Sequence, residues 1–98
     1  AFPGAYIINS GIGSFPIYKS TPDLESYGSI GASNKNEYLI VMPGYKITVY
    51  TDTNYGTTNV KTIDNTTSSN IYHVATTGAT WANKISSIKL YYGSTEIN

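Results

Sequence analysis

Residues 47–60 read ITVYTDTNYGTTNV, and residues 81–93 read WANKISSIKLYYG. Both stretches carry a period of two. In the first, Ile47 and Val49 fall on one face, and Lys46, Thr48 and Tyr50 on the other. A run of turn formers, TDTNYG, then breaks the pattern before Val60, Lys61 and Ile63 resume it. In the second, Ile88, Leu90 and Tyr92 share a face opposite Ser87, Lys89 and Tyr91. Two alternating strands on either side of a turn-rich insertion predict a hairpin, and a third strand begins with Asn-Lys-x-Ser-Ser.

No segment of the 98 residues shows a helical period. EYLIVM, residues 37–42, is more continuously apolar and predicts a strand covered on both faces. AYIIN and SFPIYK are earlier strands, with Pro16 placing the latter at a sheet edge or a bulge. ESYGSI and NIYHVA are weaker ones. Glycine, proline, asparagine and serine clusters separate them. About eight short strands at this spacing predict an all-β, two-sheet sandwich with Greek-key connections. The length suits one domain, residues 1–98.

Composition narrows function by exclusion. Six lysines balance six acids, there is no arginine and the net charge is zero. Binding a phosphate backbone needs clustered cations, so nucleic acid is not an expected partner, nor is an anionic membrane. No apolar run is long enough to cross a bilayer as a helix. With no cysteine, disulfides and thiolate metal sites are impossible, and compartment stays open between intracellular, virion-associated and secreted.

An internal echo runs through the chain. Shifted by 49 positions, Asn34 falls on Asn83, Lys35 on Lys84, Leu39 on Ile88, Val41 on Leu90 and Gly44 on Gly93. Two similar units, 1–44 and 45–98, are expected to pack into the single domain.

These residues resemble the second Greek-key motif of a βγ-crystallin domain. The family places an aromatic, four residues, a second aromatic, one residue and a glycine on a folded hairpin. Here Tyr50 and Tyr55 take the aromatic places, and the glycine sits one position early, at Gly56, with Thr57 in its usual place. The family then starts its fourth strand with two Asn or Asp residues, two variable ones, Ser or Thr, and Ser. Those places are Ala82, Asn83, Lys84, Ile85, Ser86 and Ser87, and Ala82 departs from the pattern. In the first half they fall on Ser33 to Tyr38 and are much degraded.

The resemblance implies that Ser87 ties the hairpin to the fourth strand. It also implies two calcium sites at one end of the sandwich. Ser86 would offer its hydroxyl and Lys84 its backbone carbonyl to one; Glu37, with the Lys35 carbonyl, would serve the other. Ala82 offers no side-chain oxygen, and neither motif supplies an Asp, so calcium is a weak or decayed ligand and no cofactor is required. Trp81, just before the strand, is expected to plug the end of the sandwich.

Catalysis is not expected. His73 is the single histidine, the carboxylates are scattered over loops, and no serine lies in a nucleophile signature. Asn65-Thr66-Thr67 is the one glycosylation sequon, placed in a loop. Two function classes follow: a non-enzymatic structural module of βγ-crystallin type, or a recognition or assembly subunit, such as a capsid or coat component, that meets a protein or glycan through exposed tyrosines. A small secreted toxin or inhibitor is a weaker third. Ten tyrosines are more than a core of this size holds, and Tyr91 and Tyr92 beside Gly93 are the first candidates for a partner surface.

Overall fold

A computed structural model describes residues 2–9, 13–24, 38–75, 81 and 84–98. Eight strands appear among them: β1 (Ala5–Asn9), β2 (Gly13–Ile17), β3 (Tyr38–Val41), β4 (Tyr45–Tyr50), β5 (Val60–Asp64), β6 (Tyr72–Ala75), β7 (Ser87–Tyr92) and β8 (Thr95–Glu96). They form two antiparallel sheets, one in the order β2-β1-β3-β6 and the other β5-β4-β7-β8. The all-β, two-sheet reading of the sequence is the architecture observed. ESYGSI, by contrast, lies outside the described residues.

The sheets meet on a core built by alternation. Ala5, Ile7, Ile17, Leu39 and Val41 from the first sheet face Ile47, Val49, Ile88 and Leu90 from the second, all fully or nearly fully buried. Ile85 and Leu24 close the core from the loops, and Trp81 packs half-buried against it. Pro16 sits on β2, an edge strand, where its missing N–H costs no ladder bond to a further strand.

Strand pairing crosses the two halves of the chain. β6 comes from the second half yet pairs with β3 in the sheet of β1 and β2. In return, Thr21 of the first half lies against β7, where Thr21 and Ile88 exchange N–H···O bonds of 2.8 and 3.0 Å. Each half therefore supplies backbone partners to the other's sheet. The echoed glycines also meet. Gly44 and Gly93 both take left-handed backbone conformations, with φ of 88° and 63°, and the Gly93 N–H donates to the Gly44 carbonyl at 2.9 Å.

Three strand readings need correction. β3 is covered mainly on one face: Leu39 and Val41 are buried, Ile40 half-buried and Tyr38 exposed. The continuous apolar run therefore does not mark a strand buried on both faces. Tyr92 shares the parity of Ile88 and Leu90 but is exposed, because β7 runs past the end of the core. Its ring packs on Tyr45 instead, at a centroid distance of 4.9 Å. Tyr50 has the outward parity of Lys46 and Thr48 but is buried, because the hairpin folds back over it.

Candidate functional site

The most specific sequence motif lies at one end of the sandwich, where β4 leaves its sheet at Tyr50. The nine residues before β5 do not form a flat turn. Thr53–Tyr55 make a short 3₁₀ turn, in which Asn54 and Tyr55 take φ of 55° and 60°. Asparagine tolerates the left-handed region, whereas tyrosine adopts it only when its surroundings force it to. The surroundings here are hydrogen bonds. The Asn54 N–H donates to the Pro22 carbonyl at 2.7 Å, and the Thr58 N–H to Asp52 Oδ2 at 3.1 Å. Gly56 is not left-handed, with φ of −61°. It is needed for another reason: a Cβ there would fall 2.6 Å from that of Asp52. A close approach, rather than a backbone angle, explains a glycine one position early.

Ser87 lies under this hairpin and is completely buried. Its Oγ donates to the Asp52 carbonyl at 2.6 Å and accepts the Tyr55 N–H at 3.2 Å. One hydroxyl thus satisfies a donor and an acceptor on opposite limbs of the hairpin. Tyr50 and Tyr55 meet edge to face at 5.5 Å, and Lys89 Nζ stands 4.9 Å from the Tyr55 ring centroid. Burial pushes the phenol pKa of both tyrosines up; Lys89 partly opposes this at Tyr50, while Glu96 adds to it at Tyr55. Ser86, one residue before, is buried with both backbone groups engaged: its N–H donates to the Tyr50 carbonyl, and its carbonyl accepts the Leu24 N–H, each at 2.9 Å.

This two-sheet architecture has a counterpart among solved structures. A structure described as "Evolution of the eye lens beta-gamma-crystallin domain fold" superposes with a TM-score of 0.74, covering 94% of this chain and 89% of that one at 16% identity. The fold is that of the βγ-crystallin domain. No family model matches the chain, and no curated protein does. At this identity the likeness speaks for architecture and leaves function to the residues.

Within this βγ-crystallin fold the calcium donors can be weighed. The described candidates are the Ser86 hydroxyl and the carbonyl of Lys84, whose own N–H donates to the Trp81 carbonyl at 3.2 Å. Both are neutral. Calcium takes six to eight oxygens, usually with carboxylates among them. Among the described residues no three His, Cys, Asp or Glu side chains come together. Those two neutral oxygens alone do not fill a calcium coordination shell. Glu37, Lys35 and Asn83 lie outside the described residues, as do Ser33 and Ala82. Nor does a nucleophile emerge at Ser87: its partners are a backbone carbonyl and a backbone N–H. His73 sits on β6 in register with Ile40, and its side chain is not among those described.

The opposite end of the sandwich holds, in the loop where the sequence placed it, a residue whose structural weight the sequence did not show. Asn65, the sequon asparagine, is only 3% exposed. Its Nδ2 donates to the Val41 carbonyl at 2.9 Å and to the Asn70 carbonyl at 2.7 Å. Its backbone N–H reaches the Tyr45 carbonyl at 2.9 Å, and its carbonyl accepts the Gly44 N–H at 3.0 Å. The amide nitrogen that a glycan would need is committed to the fold. Ser20 was also missed: its Oγ accepts the Leu90 N–H at 3.0 Å and so completes the ladder of β7 with a side chain. No local pattern marks either residue.

Tyr91 and Tyr92 part company at this end. Tyr91 is half-buried, with Lys46 Nζ 4.7 Å from its ring centroid. Tyr92 is 60% exposed and, with Phe2, Tyr6, Met42 and Tyr45, lines an open groove of about 390 Å³. None of the lining residues is charged.

Proposed function

We propose that this chain is a non-enzymatic structural module of βγ-crystallin type. The observation that carries the reading is the use made of the motif's polar groups. Ser87, Asp52 and Tyr55 spend theirs on one another, and Ser86 spends its backbone on Tyr50 and Leu24. Groups committed to the fold are not available for proton transfer or nucleophilic attack. Calcium has a minor part in this reading: any site near Ser86 and Glu37 is weak, of order 10⁻⁴–10⁻³ M.

Thermal melts in millimolar calcium and in chelator, alongside ester, peptide and glycoside hydrolysis assays, test it. The expected result is a small calcium shift at most, unaltered by Ser86→Ala or Glu37→Gln, and no turnover above background. Saturation at micromolar calcium, or catalysis that Ser86→Ala or Ser87→Ala abolishes, would overturn it.

A second reading, an assembly subunit, is supported by a different observation: the charge-free aromatic groove around Tyr92. Large exposed aromatics next to a groove are what assembly surfaces offer.

A further inference from the structure

Seven large apolar side chains are exposed among the described residues, and five of them gather at one end of the sandwich. Register places them there. Ile17, Ala5, Val41 and Tyr72 form the last row of the first sheet; Tyr18 follows and Ile71 precedes that row directly, and Phe2 lies three residues before Ala5. Tyr45 and Tyr92 form the matching last row of the second sheet. Phe2 is 89% exposed and Ile71 58%. Phe2 is itself one wall of the groove that Tyr6, Met42, Tyr45 and Tyr92 also line.

We propose that this end is a self-association surface, in which Phe2 of each copy seats in the Tyr6–Met42–Tyr45–Tyr92 groove of the other. The proposal deepens the assembly reading by naming the partner. A projecting knob beside a hole on one surface is what a twofold interface requires, since each residue then meets its partner reciprocally. The groove, about 390 Å³, is in the size range of sites that enclose small molecules and so admits an aromatic side chain. Its lining is uncharged, and the chain has zero net charge, so no self-repulsion opposes the contact. A peptide or a saccharide would fill the groove but leave Tyr18 and Ile71 in water; a second copy covers them as well. A molecule of 28 × 26 × 26 Å offers roughly 500 Å² at one end, about 1,000 Å² for the pair, which is the lower bound for a specific interface. The dimer is therefore weak and concentration-dependent.

Sedimentation velocity of the 98-residue chain, from roughly micromolar to roughly millimolar, tests this in the range where interfaces of this size dissociate. The expected result is a monomer–dimer equilibrium. Phe2→Ser and Tyr92→Ser should each raise its dissociation constant about tenfold or more, as truncating an interface anchor does. Val60→Ser, an equally apolar exposed site on the far edge strand β5, should leave it unchanged. Phe2→Ser removes an almost fully exposed side chain, so an unaltered melting temperature certifies the fold. A monomer across the whole series overturns the proposal, as does a dimer indifferent to both groove variants or one broken by Val60→Ser. A monomer that binds a proline-rich peptide or an oligosaccharide through Tyr92 overturns self-association and leaves the assembly reading standing.

Discussion

The two ends of the sandwich are each pinned by one buried polar side chain, Ser87 at the hairpin end and Asn65 at the other. Both bridge backbone groups of two different segments. They differ in how the chain announces them. Ser87 stands in a patterned strand start and opposite a patterned hairpin, so its neighbours in sequence identify its task. Asn65 stands in the polar tract DNTTSSN, where an anchor and a surface residue look alike. The difference teaches that a polar residue's structural weight is set by what the fold carries past it. Local composition reports that only when a recurring supersecondary unit supplies both partners.

The comparison breaks first at Asn65. Asn65→Ala should destabilise the domain by about 2 to 3 kcal/mol, because the Val41 carbonyl loses its donor in a buried place and the Asn70 carbonyl in a part-buried one. Asn65→Asp should be at least as damaging, since a carboxylate there faces those two carbonyls. Chemical denaturation measures both. A loss below about 1 kcal/mol would mean that water replaces the amide and that this end is not pinned. The same geometry predicts that Asn65 stays unmodified in folded chain exposed to glycosylation machinery, which mass spectrometry reads directly.

Ser87→Ala comes next, at about 2 kcal/mol. The hydroxyl serves one donor and one acceptor, and the Tyr55 N–H is less deeply enclosed than the Val41 carbonyl. The useful control is additivity. Ser87 and Asn65 lie at opposite ends and share no partner, so the double variant should lose the sum of the two single losses to within about 0.5 kcal/mol. A clear excess or shortfall would show that the ends communicate through the sheets.

What the sequence disclosed and what it withheld follow the same division. Ile47, Val49, Ile88 and Leu90 were legible as core because a strand alternates wherever one face is buried. The sandwich follows from eight such segments. The exchange of β6 into the first sheet was not legible, since nothing within YHVA names its partner. Tyr50 and Tyr92 broke parity for opposite reasons: a hairpin covers the first, and the core ends before the second. Of the proposed site residues, Glu37, Lys35 and Asn83 fall outside the described structure, while Lys84 and Ser86 are described, and no three His, Cys, Asp or Glu side chains come together among the described residues. Of the pair expected at a partner surface, Tyr92 is exposed and Tyr91 half-buried, and the exposed Phe2 and Ile71 carry no motif at all.

The hairpin end can be sharpened at Asn54, where the backbone conformation rather than a side-chain contact is at stake. Asn54 takes φ of 55° and is exposed. Asn54→Ala should cost about 1 kcal/mol, the penalty for a left-handed residue with no local polar compensation. Asn54→Gly should be neutral or slightly stabilising, because the native angle costs glycine nothing and only its greater unfolded freedom counts against it. Equal effects of the two substitutions would show that the Asn54 side chain, rather than its backbone, holds the turn.

The smallest effect separates the two ends by pH. At the hairpin end, burial raises the pKa of Tyr50 and Tyr55. Their contribution is whole below the ordinary tyrosine value, about pH 10, and is lost as pH climbs from there through the raised folded values, because the unfolded chain gives up its phenolic protons first. Near the other end, the Thr66 hydroxyl and N–H donate to Asp64 Oδ1 at 2.6 and 2.9 Å, and hold the Asp64 carboxyl below its usual value. That contribution is present above the ordinary carboxylate pKa, and it disappears as pH falls through the lowered folded value. Asp64 is exposed, so the effect on stability is slight and is best read by NMR titration of its carboxyl. Thr66→Ala removes the shorter of the two bonds and should move the Asp64 titration part of the way back up, while the alkaline limb of the melting curve stays where it was. An Asp64 titration indifferent to Thr66→Ala would remove the hydroxyl as the cause. A shift of the alkaline limb in that variant would show that the two ends are not electrostatically independent.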